Sequence, residues 1–164
     1  MKHINAYIIE KLRINKDIDK VEYHYHPKDY NELKDLLRKL IKERGNDANL
    51  NDIDVTAVHQ MWELFRDLDP HNIDISKWDV SNVTAFSRMF IGCKNFNCDL
   101  SNWNLNSATH LNDMFFDCEN FNCDLEPWGK TINFDKIINM DGMVNKRYNK
   151  NLKHIPDWFN EHTK

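Results

Sequence analysis

The side chains with the most chemical potential are four cysteines in two matching pairs, Cys93-x4-Cys98 and Cys118-x4-Cys123. Four thiolates brought to one point would make a structural zinc site. His24-x-His26 is a second possible metal pair, because alternate residues of a strand share a face. Asp74, Asp99 and Asp124 recur at one interval, as do Asn72, Asn97 and Asn122, and Ser76, Ser101 and Glu126. Carboxylates do general acid–base work when unlike surroundings push their pKa values apart. A regular column gives each carboxylate the same surroundings, so no catalytic pair is expected. No nucleophile elbow, P-loop, His-Glu-x-x-His or Gly-rich dinucleotide loop is present. The chain is therefore expected to be no enzyme and to need no cofactor.

The common interval is an internal repeat. Trp78, Trp103 and Trp128 lie 25 residues apart, and the same shift aligns Phe65, Phe90 and Phe115. Three units follow, 54–78, 79–103 and 104–128. A degenerate fourth comes after an insertion of four residues, with 137–144 matching 83–90 and an end near Trp158 and Phe159. The chain divides into an N-terminal α/β cap (1–50), the three repeats (51–128), and the fourth unit with its C-terminal cap (129–164).

The repeat also weighs the candidate chemistry. At the positions of Cys93 and Cys98 the first unit has Leu68 and Ile73. Cysteine thus stands in for an inward aliphatic residue, a small buried hydrophobe, and no metal is expected. The tryptophan column fits stacked corner residues better than a ligand-binding stripe. His71, at the position of Phe96 and Phe121, is a packing variant. His24 and His26 fit a solvated strand surface, since spacing forces no acidic partner onto their face.

Local patterns predict the elements that position these residues. Thr56, Ser81, Asn106 and Asp135 are good helix N-caps at equivalent points of the four units. Val83, Phe86, Met89, Phe90 and Cys93 then fall on one helical face, with Gly92 near its end. Phe96, Cys98 and Leu100 alternate with Asn97, Asp99 and Ser101, the period of a strand. The expected architecture is an α/β fold, a short leucine-rich-repeat-like solenoid of about four 25-residue coils with an N-terminal helical cap. In the cap, an amphipathic helix is expected over residues 4–14 and a short strand over 21–26. A further helix opens at Asn31-Glu32-Leu33, with Leu33, Leu36, Leu37, Leu40 and Ile41 on one face and Gly45 as its stop.

The middle unit reads W-D-V-S-N-V-T-x4-M-F-x-G-C-x-x-F-N-x-D-L-S-x-W between Trp78 and Trp103. This motif resembles the BspA-like leucine-rich-repeat family of bacterial surface proteins, in its branch of roughly 25-residue repeats of unknown function. The resemblance covers residues 52–128 closely and 132–158 loosely. It implies an adhesion or protein-binding module with no catalytic residues.

Charge points the same way. The net −4 hides a balance of −9 over residues 51–128, between +2 at the N-terminal side and +3 at the C-terminal side. A protein partner with a basic surface is favoured over nucleic acid. No apolar run approaches the roughly 20 residues of a membrane helix, and the start of the chain has no signal-peptide core. A cytoplasmic protein away from membranes is expected. The candidate partner-binding residues are Asn72, Asp74, Asn97, Asp99, Ser101, Asn122, Asp124 and Glu126. Two accounts of the aspartates stand side by side: each carboxylate accepts turn N–H groups in its own unit, or the column awaits a cationic partner. The alternative function is a phage or mobile-element effector that inhibits a host enzyme by occlusion or acidic mimicry.

Overall fold

The computed structural model describes residues 21–68 and 70–163. The helix expected over residues 4–14 lies outside them. Helix α1 spans Tyr30–Arg44. Asp29 caps it by accepting the Glu32 N–H at 3.0 Å, and Glu32 reaches back to the Lys28 N–H at 2.9 Å. Leu33, Leu37, Leu40 and Ile41 form its buried face. Gly45 ends it at φ +89°, its N–H bonded to the Ile41 carbonyl. Among the described residues, the other regular elements are two 3-10 helices, Glu126–Lys130 and Phe134–Lys136, and a short helix α2, Asp157–His162.

The expected α/β leucine-rich-repeat-like solenoid is therefore overturned. Among the described residues the repeats contain no α-helix, and parallel pairing occurs only as single bridges, with no strand or sheet. Where a helix was expected, i→i−3 turn bonds alternate with bonds to the neighbouring unit. Met89 N–H bonds Phe86 O within its unit, and Phe90 N–H bonds Met114 O in the next. Left-handed residues recur every few positions: Glu63, Arg88 and Asp113 at φ 48°, 56° and 54°, then Asp67, Gly92 and Asp117 at 67°, 73° and 59°. A right-handed helix cannot contain them. The misleading signal has a physical origin. Turns that close every three residues bury Val80, Val83, Phe86 and Met89, and that spacing lies close to the 3.6 period of a helix. The proposed N-caps are corrected as well. The N–H groups of Thr56, Ser81 and Asn106 are instead bonded by the side chains of Asp54, Asp79 and Asn104 two residues earlier, each at 3.0 Å. The strand expected over residues 21–26 is one bridge, Tyr25 to Ile53.

What orders the chain is register between units. Thr84 N–H bonds His59 O at 2.9 Å, Thr109 N–H bonds Thr84 O at 2.8 Å, and Ile138 N–H bonds Thr109 O at 2.8 Å. The last step spans the four extra residues, which the two 3-10 helices absorb. Phe65, Phe90 and Phe115 stack with centroids 5.1 and 5.5 Å apart. Each indole of the tryptophan column donates to a carbonyl of the preceding unit: Trp78 to Leu50, Trp103 to Ile75, Trp128 to Leu100 and Trp158 to Leu125, at 2.8–3.2 Å. All four are buried, so the column is core, as its regularity implies.

Residues 46–53 form a further half unit in the same register. His71 N–H bonds Asn46 O, and Leu50 N–H bonds Asp74 O. Helix α1 seats against this end by burying the Lys34 stem. Its ammonium reaches the carbonyls of Glu63 at 2.6 Å and Arg66 at 3.4 Å, while burial lowers its pKa.

Candidate functional site

The aspartate column is built by turns. Asp74, Asp99 and Asp124 each accept on Oδ1 the N–H two residues ahead, of Ser76, Ser101 and Glu126, at 3.1, 2.9 and 3.0 Å. The Ser76 hydroxyl adds a second donor to Asp74 at 2.6 Å. Burial pushes the Asp74 carboxyl up, but the Ser76 hydroxyl and the Asn51 amide outweigh it and leave the pKa lowered. The Ser101 N–H lowers that of Asp99. The three carboxylates thus have a local role in the turns. The second oxygen, Oδ2, differs along the column. That of Asp74 accepts the Asn49 amide at 3.2 Å. Those of Asp99 and Asp124 accept no hydrogen bond from the described residues, and both side chains are exposed.

The asparagine column lies beside it. Asn72 donates to Asp47 at 3.4 Å, Asn97 Oδ1 accepts the Asn122 N–H, and Asn122 Oδ1 accepts the Lys153 N–H, the latter two at 3.1 Å. Asn97, Asp99, Ser101, Asn122 and Asp124 share one groove of about 510 Å³. Asn72 and Asp74 line an adjoining one with Asn97 and Asp99. Seven of the eight predicted residues are therefore brought together on one face. Glu126 is drawn elsewhere: its Oε1 accepts the Asp157 N–H and meets His154 Nε2, both at 2.7 Å. That contact ties α2 to the third unit. Asp157 Oδ1 also lies 3.7 Å from His154 Nε2.

Cys93, Cys98 and Cys118 are buried, and Cys123 is half-buried against the core, its sulfur accepting the Leu100 N–H at 3.2 Å. Cys93 and Cys118 give their thiol hydrogens to Phe65 O and Phe90 O one unit back, at 3.5 and 2.8 Å. A zinc ligand must be a thiolate. Burial pushes Cys98 up to about 11 and Cys123 up to about 12, and raises Cys118 further still. Among the described residues, no three cysteines lie within ligand distance of one point; the one group that does is Glu126, His154 and Asp157, already joined by hydrogen bonds.

Two features escaped sequence reasoning. His24 and His26 each face an aspartate, Asp52 at 3.4 Å and Asp54 at 3.2 Å, because the bridge at Tyr25 brings the segment alongside the first turn of the repeats. Asn149 is 1% exposed and donates to both Phe115 O and Cys118 O, at 2.7 and 3.1 Å. It does for the third unit what the cysteine thiols do for the earlier ones. The broken spacing of the fourth unit hides that equivalence.

Among the described residues, no helix is long and apolar enough to cross a membrane. The family model described as "Mycoplasma protein of unknown function, DUF285" matches residues 32–158. No curated protein and no solved structure matches the chain. The chain belongs to that family, and the matched stretch takes in the repeat units and all of α1 but its first two residues.

Proposed function

We propose that this family member is a non-enzymatic binding module that holds a protein partner with a basic surface against its aspartate–asparagine face. The observation that carries this reading is the division of labour within each carboxylate. Oδ1 of Asp99 and of Asp124 serves the turn, which fixes the side chain, while Oδ2 is left toward solvent. Like charges that recur from one unit to the next repel, the more so at lower effective dielectric. A cationic partner relieves that repulsion. The −9 balance of residues 51–128 supplies a long-range attraction of the same sign and disfavours nucleic acid. The resemblance of the repeat to bacterial surface modules for adhesion and protein binding agrees with it. Neither metal nor cofactor takes part.

Because the groups are exposed, the association is expected to be salt-sensitive. The immobilised protein should retain a basic partner from an extract of its own host at low ionic strength and release it as salt rises toward about 0.5 M. Retention unchanged at high salt, or retention of acidic proteins only, would sink this reading.

A further inference from the structure

We propose that the asparagine amides beside the carboxylates hold the main chain of an extended, lysine- or arginine-rich segment of that partner, an assignment that rests on the binding role above. Orientation is the key. Asn97 and Asn122 each use Oδ1 to accept a backbone N–H from the next unit, at 3.1 Å. Turning either amide over would set its NH2 group against that N–H, so the orientation is imposed by the hydrogen bond. Each Nδ2 therefore carries two N–H groups that make no hydrogen bond to the described residues.

The face thus repeats a fixed donor next to a fixed acceptor: Asn97 beside Asp99, and Asn122 beside Asp124, in one groove of about 510 Å³. Its lining is polar apart from Cys98, Cys123 and Pro127, so it offers no deep apolar pocket for a side chain. Recognition must come from hydrogen bonds and charge. A row of N–H donors calls for a row of free oxygen acceptors. In folded helices and sheets the backbone carbonyls are already paired, whereas an extended segment leaves one free at every residue. Alternate side chains of such a segment point the same way, which carries its basic ends toward the Oδ2 atoms of Asp99 and Asp124. Phosphate-bearing chains would meet those carboxylates with like charge.

The test uses the whole protein and a fluorescein-labelled peptide of alternating lysine and serine, about a dozen residues long, followed by anisotropy. N97D/N122D keeps an oxygen for each backbone N–H but removes the donors and adds negative charge. D99N/D124N keeps the turn acceptors and removes charge. Thermal melting verifies that both variants remain folded. Wild type should bind, and N97D/N122D should bind about tenfold more weakly despite its greater negative charge. Equal or tighter binding by N97D/N122D would show attraction by charge alone and overturn the main-chain assignment, leaving the binding role standing. Equal binding by D99N/D124N would instead remove the acidic-face reading beneath it. Displacement of the peptide by dextran would also overturn the assignment, in favour of a neutral glycan.

Discussion

Trp103→Ala is expected to lower stability by about 3–5 kcal/mol, read as a fall in melting temperature of many degrees. The indole is 1% exposed and stacks on Trp128 with centroids 6.4 Å apart. Truncation leaves a large cavity between two units, and the stacked neighbours are too interlocked to collapse into it. It also removes the donor to the Ile75 carbonyl, 3.2 Å away. That carbonyl keeps the Trp78 N–H at 3.2 Å, so the lost indole hydrogen bond adds about 0.5–1.5 kcal/mol. Trp103→Phe, which keeps much of the apolar contact and loses the N–H, should fall between alanine and wild type. A ligand-binding role for the tryptophans predicts the opposite pattern, with little change in melting and a loss of binding. An unchanged melting temperature in Trp103→Ala would contradict the core assignment.

Asn149→Ala should have the second-largest effect. Its amide N–H groups hold the carbonyls of Phe115 and Cys118, and its Oδ1 accepts the Asn145 N–H at 2.8 Å. Removing the side chain takes one of two donors from each carbonyl; the N–H groups of Cys118 and Phe121 remain at 3.2 Å, so each lost hydrogen bond costs about 0.5–1.5 kcal/mol. It also releases the turn that carries the chain from the fourth unit toward α2. Replacement by leucine, similar in volume, should be as damaging, since the loss lies in the hydrogen bonds and not in packing. Retention of wild-type melting by either variant would show that the Cys118 and Phe121 N–H groups suffice for those carbonyls and would contradict a structural role for the amide.

Much of the arrangement is legible in the sequence where one residue type has one physical job. Tryptophan spacing reports the interval because an indole must bury a large surface and bond a carbonyl at each turn. The four extra residues before the fourth unit are visible because Met140 and Met143 keep their inward places beyond them. Helix α1 is readable for the opposite reason: it lies outside the repeat, and its Leu33, Leu37, Leu40 and Ile41 follow a genuine helical period. The repeats themselves mislead. Three-residue turns and a helix place apolar residues almost alike over ten positions. Only the left-handed backbone at Arg88 and Gly92 separates them, and arginine at such a site carries no sequence signature.

The candidate site is legible for a different reason. Asn97, Asp99, Asn122 and Asp124 stay polar on the outward side of an alternation whose inward members are Phe96, Leu100, Phe121 and Leu125. The division of each side chain between a turn and the solvent is not legible, since it depends on which oxygen meets which N–H. Glu126 shows the limit of alignment by column. It occupies the place of Ser76 and Ser101, yet the irregular C-terminal unit brings His154 and the start of α2 onto it. The half unit at 46–53 is concealed similarly, because Asn46 and Ile53 stand where later units have Phe96 and Trp103.

The central claim is that the turn-held carboxylates are what the partner recognises. The most direct measurement compares wild type with D74N/D99N/D124N for retention of the host partner at low salt, both proteins first matched by thermal melting. Asparagine preserves the Oδ1 acceptor of every turn and removes three negative charges from one face. The account predicts a variant that is folded and retains about a tenth of the partner or less. Equal retention by the folded variant would contradict it and return the aspartates to a purely structural role.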